Sequence, residues 1–530
     1  MNNQPSSKDE MTRSLLESFQ ILHAYTVLPQ EFHNLEVIHK SELYHQVAET
    51  FEIDNVDFLE LVLGKQRYKE QKPYAMAYAG HQFGQWAGQL GDGRAINLFE
   101  EYHYGETCCF QLKGAGPTPY SRRGDGYAVL RSSLREHLCS EAMHHLGVRT
   151  TRSLLVALTG EQVLRDKLYD GNAAYEKGAV VNRSAQSFLR FGNFELLAAQ
   201  GDEIGMRALA DFLIDRYYPA TKRATSRESI AQLFESIAVD TLETVINWQR
   251  VGFVHGVMNT DNMSLIGLTI DYGPYGFLEE FDFDWTPNTS DRDSRYAYGK
   301  QPEIALWNLW KLASAICPIV GDSKPLEATL NKFKTNYESQ YLQMMASKIG
   351  LDTTRIDQVF LNELTTALSE LGLDFTIFFR ELCKISHQTS LDQDYNFLSI
   401  SFYDTLDQAG FKSTLLYKWL VEYKALIAIE LEDFTNDYGL VSGEGNEVDS
   451  AFAKARSKKM NLVNPKFVLR NYMAQLAIEA AEKQDYTVLD EMYRVLQRPY
   501  EEQPAASKWY SIRPQWATES DSCTRLSCSS

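Results

Sequence analysis

His255-Gly256-Val257-Met258-Asn259-Thr260-Asp261-Asn262, followed by Asp271-Tyr272-Gly273, decides how this chain of 530 residues is read. Met258 to Asn262 is polar or loop-prone. Met263-Ser264-Leu265-Ile266 and Leu268-Thr269-Ile270 are apolar and β-prone, with Gly267 as the turn between them. The pattern predicts a loop, a hairpin and a second loop, with Asn262 at the hairpin's entrance and Asp271 at its exit. Both side chains then face one point. An amide oxygen and a carboxylate at such a point can hold Mg²⁺ on a nucleotide's phosphates.

Protein kinases use the same layout: a catalytic loop ending in Asn, a hairpin, then Asp-Phe-Gly. One residue departs from it. The kinase catalytic Asp lies five positions before the Asn, and here that position is Val257, which cannot accept a proton. A different carboxylate, Asp261, stands directly beside the metal Asn. The combination predicts an α+β, kinase-like two-lobed fold that performs another transfer, or none.

Composition sets the bounds. At 44% hydrophobic and 12% aromatic the chain can build ordinary cores. Its net charge of −19 argues against a nucleic-acid partner, which calls for a basic footprint. The seven cysteines are scattered, without Cys-x-x-Cys or a zinc spacing. No run of about 18 apolar residues is evident and the first ten residues lack a signal-peptide core. A cytoplasmic protein with no membrane partner is expected.

Upstream, Gln89-Leu90-Gly91-Asp92-Gly93-Arg94 precedes two strand-like segments, 95–99 and 108–112, that end at Lys113. A glycine-rich turn lets backbone N–H groups approach phosphates, and a Lys on a following strand can grip them. Short glycine motifs also make plain hairpin turns; Arg94, directly after this one, adds a bidentate phosphate contact. A second glycine-rich segment, 114–126, contains Arg122, Arg123, Asp125 and Gly126 and reads as a cover. Arg131 to Leu146 reads as a helix. Spacing leaves Glu136 two roles: partner of Lys113, or capping-box residue of Ser133. Arg183 and Arg190 lie among apolar and aromatic residues, where an unpaired guanidinium is costly, so each should face an anion.

The chain divides by pattern into an N-terminal extension (1–70), an N-lobe with nucleotide-binding loops (71–200), a helical C-lobe with the catalytic loop (201–440) and a C-terminal helical extension with a flexible tail (441–530). Leu15, Leu16, Phe19 and Leu22 have helical spacing. Trp307 and Trp310 are expected in the core, and Lys454, Arg456, Lys458 and Lys459 on a solvated helix face. The tail from Gln503 is expected to be partly disordered, with Cys523 and Cys528 as a redox pair or plain exposed thiols.

Tyr78 to Gly84, Gln89 to Arg94, Gly124-Asp125-Gly126, Arg190-Phe191-Gly192 and the 255–273 stretch together resemble the selenoprotein O family (SelO, YdiU in bacteria). The resemblance implies a kinase-like fold that binds ATP flipped and transfers AMP to Ser, Thr or Tyr hydroxyls of proteins. It implies nucleotide contacts from Gly91, Gly93, Arg94, Lys113, Asp125, Gly126, Arg183, Arg190 and Asp271. It makes Asp261 the proton acceptor, Asn262 and Asp271 the ligands of Mg²⁺ (with Mn²⁺ as the alternative), and Glu136 the partner of Lys113. Eukaryotic members end in selenocysteine and two further residues; Cys528 stands at that position here. The competing readings are a small-molecule phosphotransferase, since His255-Gly256 and Asn262 also match the aminoglycoside-kinase loop, and a non-catalytic nucleotide-binding scaffold.

Overall fold

The computed structural model describes residues 22–51, 57–103, 106–167, 170–437 and 445–527. Leu15, Leu16, Phe19 and Cys528 lie outside them. Among the described residues twelve strands occur: β1 (Tyr25–Thr26), β2 (Glu36–Lys40), β3 (Tyr74–Ala75), β4 (Ala77–Gln82), β5 (Gln85–Gly91), β6 (Ala95–His103), β7 (Glu106–Lys113), β8 (Ala128–Val129), β9 (Arg152–Arg165), β10 (Ala174–Ala185), β11 (Phe253–Val254) and β12 (Gly276–Phe277). Eight form one sheet in the order β1-β3-β6-β7-β10-β9-β2, with β8 against β10. β4 and β5 form a separate hairpin.

The central strands are apolar on both faces, and period-2 alternation sorts them. Leu112, Leu155, Ala157 and Val180 pack towards the short helices α1 (Glu42–Thr50) and α2 (Phe58–Val62). Cys109, Val156, Leu158, Ala179 and Val181 face α3 (Leu130–His145) and the large central core. Each fully buried Val or Leu contributes about 1.5–3 kcal/mol, so a register slip would expose a whole face. Pairing of β8 with β10 holds residues 128–129 extended, and α3 therefore starts at Leu130. Ser133 lies inside the helix rather than at its cap, which removes the capping-box role for Glu136.

From residue 191 onward the chain is mostly helical. α4 (Phe191–Gln200) and α5 (Glu203–Arg216) lead to α6 (Ser226–Val251), which opens on a reciprocal Thr225–Glu228 cap and ends at Gly252 with φ +74°. That left-handed residue turns the chain into β11 and the 255–262 loop.

The expected hairpin at 263–270 is not formed. Ser264 pairs with Arg190 and Thr269 pairs with Thr150 instead. Leu265 donates to the Leu189 carbonyl (3.1 Å), Phe191 to Met263 (2.9 Å) and Thr269 to Arg149 (2.9 Å). Each apolar segment satisfies its backbone with chain from the first half of the molecule, a choice that local β propensity cannot register. Gly267 still turns the chain, at φ +66°.

Four further expectations are corrected. Residues 298–320, which include α7 (Gln301–Val320), are by length and composition apolar enough to cross a membrane, but Ala305, Leu309 and Leu312 pack in the core. Within α7, Trp310 is exposed and Trp307 half-buried, because the core takes the neighbouring face. Arg456 is buried, donating to the carbonyls of Ile349, Gly350 and Ile385; these include the end of α8 (Lys324–Ile349), whose terminal carbonyls need donors. The tail is packed to residue 527: Trp509, Ala517, Cys523 and Leu526 are buried, and Thr289 donates to the Leu526 carbonyl at 2.8 Å. Its apolar residues supply the burial that its Pro and Ser content concealed.

Candidate active site

Strand ends, the β5–β6 turn and the 255–273 loops surround a cleft of ≈ 960 Å³. Gly91, Gly93, Arg94, Lys113, Asp125, Gly126, Arg183, Arg190, Asn262 and Asp271 all line it. Seven lining residues are basic (Arg94, Lys113, Arg122, Arg123, Arg165, Arg183, Arg190) against three carboxylates, Asp92, Asp125 and Asp271. In a chain of net charge −19 this is a strong local inversion.

The charges at the cleft's base form one buried chain. Lys113, at the end of β7, donates to Glu136 of α3 at 2.5 Å. The second Glu136 oxygen accepts from Arg183 of β10 at 2.7 Å. Arg183 also bonds Asp271 at 2.8 Å, and Arg190 bonds the other Asp271 oxygen at 2.6 Å. Arg190 additionally donates to the Asp261 carbonyl at 2.8 Å and lies over the Tyr78 ring. Burial alone would raise Asp271, but Arg190 and Arg183 outweigh it and hold the carboxyl well below its ordinary range. Burial is likewise outweighed at Glu136, which Lys113 and Arg183 hold down. Asp271 sits at φ +58°, a left-handed conformation costing about 1–2 kcal/mol for a residue with a Cβ; the paired arginines keep it there.

Asp261 is treated differently. Its carboxylate faces the β4–β5 hairpin: Gln82 donates to Oδ2 at 3.1 Å, and a Cβ at Gly80 would lie 2.9 Å from Oδ1. Only glycine permits this approach. Oδ1 is buried with no hydrogen-bond partner among the described residues. Burial pushes Asp261 up to about 6, against the pull of Gln82 and Arg190. A carboxyl poised there can take a proton near neutral pH.

The loop that carries it is held from the same hairpin. The His81 N–H donates to Thr260 Oγ1 at 2.7 Å; Glu195 accepts from Thr260 at 2.5 Å and lies 2.6 Å from His81 Nδ1. Asn262 donates its Nδ2 to the Val257 carbonyl at 2.9 Å, which leaves its amide oxygen for another partner. Asp125 pairs with Arg165 at 2.7 Å near the rim. Gly126, at φ +78°, crosses so close to the Gly116 backbone that no side chain fits.

No group of three His, Cys, Asp or Glu side chains that could hold a metal occurs among the described residues. Asn262 and Asp271 supply two hard oxygen donors, Asp271 ionised and with lone pairs beyond those its arginines use. That set fits Mg²⁺, which commonly takes one or two protein oxygens and completes its shell with phosphates and water.

Sequence reasoning missed several members. Asp92, between two glycines, accepts from the Met76 N–H and from Asn97, and burial pushes it up to about 6. Asn97 accepts from Gln111, which in turn accepts from Arg183, so a polar file runs through the sheet to the buried charges. Arg165, Gln82, His81 and Glu195 were also missed. The signal was present in part: His81, Gln82 and Asp92 lie inside quoted motifs, but only pairing across the fold gives them partners.

A family model described as protein adenylyltransferase SelO matches residues 11–497. The chain is 47% identical over 508 residues to the protein nucleotidyltransferase YdiU of Flavobacterium johnsoniae, covering 95% of this chain and 94% of that one. It is 43% identical over 509 residues to the protein of the same description from Rhodopirellula baltica, covering 92% and 91%. With that from an Azoarcus species it shares 46% over 482 residues, 90% and 88% of the two chains.

Proposed function

The chain belongs to the protein adenylyltransferase SelO family and is a protein nucleotidyltransferase; on that premise we propose that it transfers AMP from ATP to Ser, Thr or Tyr hydroxyls of proteins. On this reading the sheet and the helical half act as the two lobes of a kinase-like frame, with ATP flipped so that its α-phosphate meets the acceptor. The observation that carries the reading is the cleft's excess of cations beside a carboxylate-bearing loop in which Val257 replaces the kinase base. A leaving pyrophosphate concentrates negative charge, and Arg94, Lys113, Arg183 and Arg190 line the cleft that would hold it, the last three fixed in place by their buried ion pairs.

The step balances simply. The acceptor oxygen forms a bond to the α-phosphorus, the bond from that phosphorus to the bridging oxygen breaks, and pyrophosphate departs with the electron pair. The hydroxyl proton passes to Asp261 Oδ1, which has no partner among the described residues. Glu136 orients Lys113 and Arg183; the Gln82 and Thr260 contacts orient the loop. Asn262 and Asp271 would hold Mg²⁺, which when bound neutralises phosphate charge.

The test uses ATP labelled separately at the α- and γ-positions, with Mg²⁺. Protein is expected to gain label from the α-position only, with release of pyrophosphate. Label from the γ-position only would refute nucleotidyl transfer by this site and favour the phosphotransferase alternative.

A further inference from the structure

We propose that the outer face of the β4–β5 hairpin, with the adjoining face of α7, docks the polypeptide that receives the nucleotidyl group, and that it selects a segment carrying an acidic side chain beside an apolar one. The inference rests on the protein-modifying reading above and names the partner's chemistry at that site.

Three large apolar side chains stand out of this face: Phe83 is 39% exposed, Trp86 47% and Trp310 54%. They belong to one array. The His81 ring lies 5.1 Å from Trp86 and 5.5 Å from Trp307. Lys311 sits over both Trp307 (4.8 Å) and Trp310 (5.0 Å), and the Arg295 guanidinium over Trp307 at 4.6 Å. Exposed aromatics clustered with cations have the composition of a protein-binding hot spot rather than of an ordinary surface.

Two features identify the occupant. The first is charge. Neither Arg295 nor Lys311 forms an ion pair among the described residues, although carboxylates outnumber cations in the chain by 71 to 52. An acidic segment is repelled over most of this protein and finds complementary charge here. The second is continuity with the base. The strand that presents His81 on this face also binds Thr260 through the His81 N–H and Asp261 through Gln82. The hairpin tip is fixed by Phe83, at φ +51°, whose N–H bonds Asn259 Oδ1 (3.1 Å) and the Tyr296 hydroxyl (2.9 Å). A segment bound to this face therefore lies against the strand that holds the loop carrying Asp261, and that loop's Val257 and Asn262 line the nucleotide cleft.

The experiment compares two synthetic peptides of equal length, each with one serine and a neighbouring phenylalanine, flanked by aspartates in one and by lysines in the other. α-Labelled ATP and Mg²⁺ are supplied to the 530-residue chain. The acidic peptide is expected to show a KM about ten-fold or more below that of the basic one. Trp86→Ala and Trp310→Ala, at exposed positions, should raise its KM about ten-fold while kcat and ATP affinity stay unchanged. Lys311→Glu should reverse the order of the two peptides. Equal KM values for the two peptides, or wild-type KM values in the three variants, overturn the docking surface. So does label on the enzyme itself or on added protein with none on either peptide. If α-label reaches no protein or peptide at all, nucleotidyl transfer fails and the docking surface falls with it.

Discussion

Replacing Asp261 by asparagine should slow the enzyme and stabilise it at once. Burial moves this carboxyl from an ordinary 3.8 up to about 6, a difference worth about 3 kcal/mol where both states are ionised. The sign follows from the direction. A carboxyl raised in the folded state binds its proton more tightly there, so folding is favoured below about 3.8 and loses that contribution as pH rises through about 6. Above pH 6 the wild type carries the whole cost and the asparagine variant carries none. Asp261→Asn should therefore gain up to about 3 kcal/mol at pH 7.5 and almost nothing at pH 4. Denaturant unfolding in EDTA, without nucleotide, measures this directly.

The rate should respond in the opposite sense. Loss of a general base costs about 10²–10⁴-fold, and the wild type's acidic limb, centred near 6, should be absent from the variant. Asparagine keeps the size of the side chain and an oxygen for the Gln82 amide, so calorimetric titration should give a Mg²⁺-ATP affinity within a few-fold of wild type. Collapse of affinity together with rate would make Asp261 a metal ligand. Absence of any stability gain at pH 7.5 would refute the argument that the carboxylate is desolvated.

Asp271→Ala removes the acceptor shared by Arg183 and Arg190, and breaking such a buried pairing costs about 3–5 kcal/mol; transfer should be abolished and metal-dependent ATP binding weakened, while circular dichroism keeps its native form. Unchanged turnover would remove Asp271 from the site. Far from the cleft, His39 Nδ1 and His137 Nε2 share a hydrogen bond at 2.8 Å, and burial lowers both rings below the ordinary 6.5. Stability from this neutral pair is present above 6.5 and lost as pH falls below it, so between pH 7.5 and 5.5 the pair contributes a drop in the urea midpoint, set against the gain from Asp261. His137→Gln should flatten that drop, and an equal drop in both proteins would exclude the pair as its source.

Local chemistry decided much of this protein from residue order alone. Strand-like segments marked the approach to Lys113, pattern marked the helical C-lobe, and Asn262 with Asp271 marked a hard-oxygen pair, because propensity and side-chain chemistry act over a few residues. Tertiary structure decided where those groups find partners. Ser264 and Thr269 could not signal that they would pair with Arg190 and Thr150, since a bridge across the fold leaves no local trace. Glu136 had two equivalent roles by spacing, and the start of α3, set by the pairing of β8 with β10, removed one of them. Asp261 and Asp271 are the same side chain ten positions apart. One is raised because Gly80 shuts it away from water, the other lowered because two arginines converge on it; desolvation and charge are properties of the space around a residue, and only the folded chain sets them.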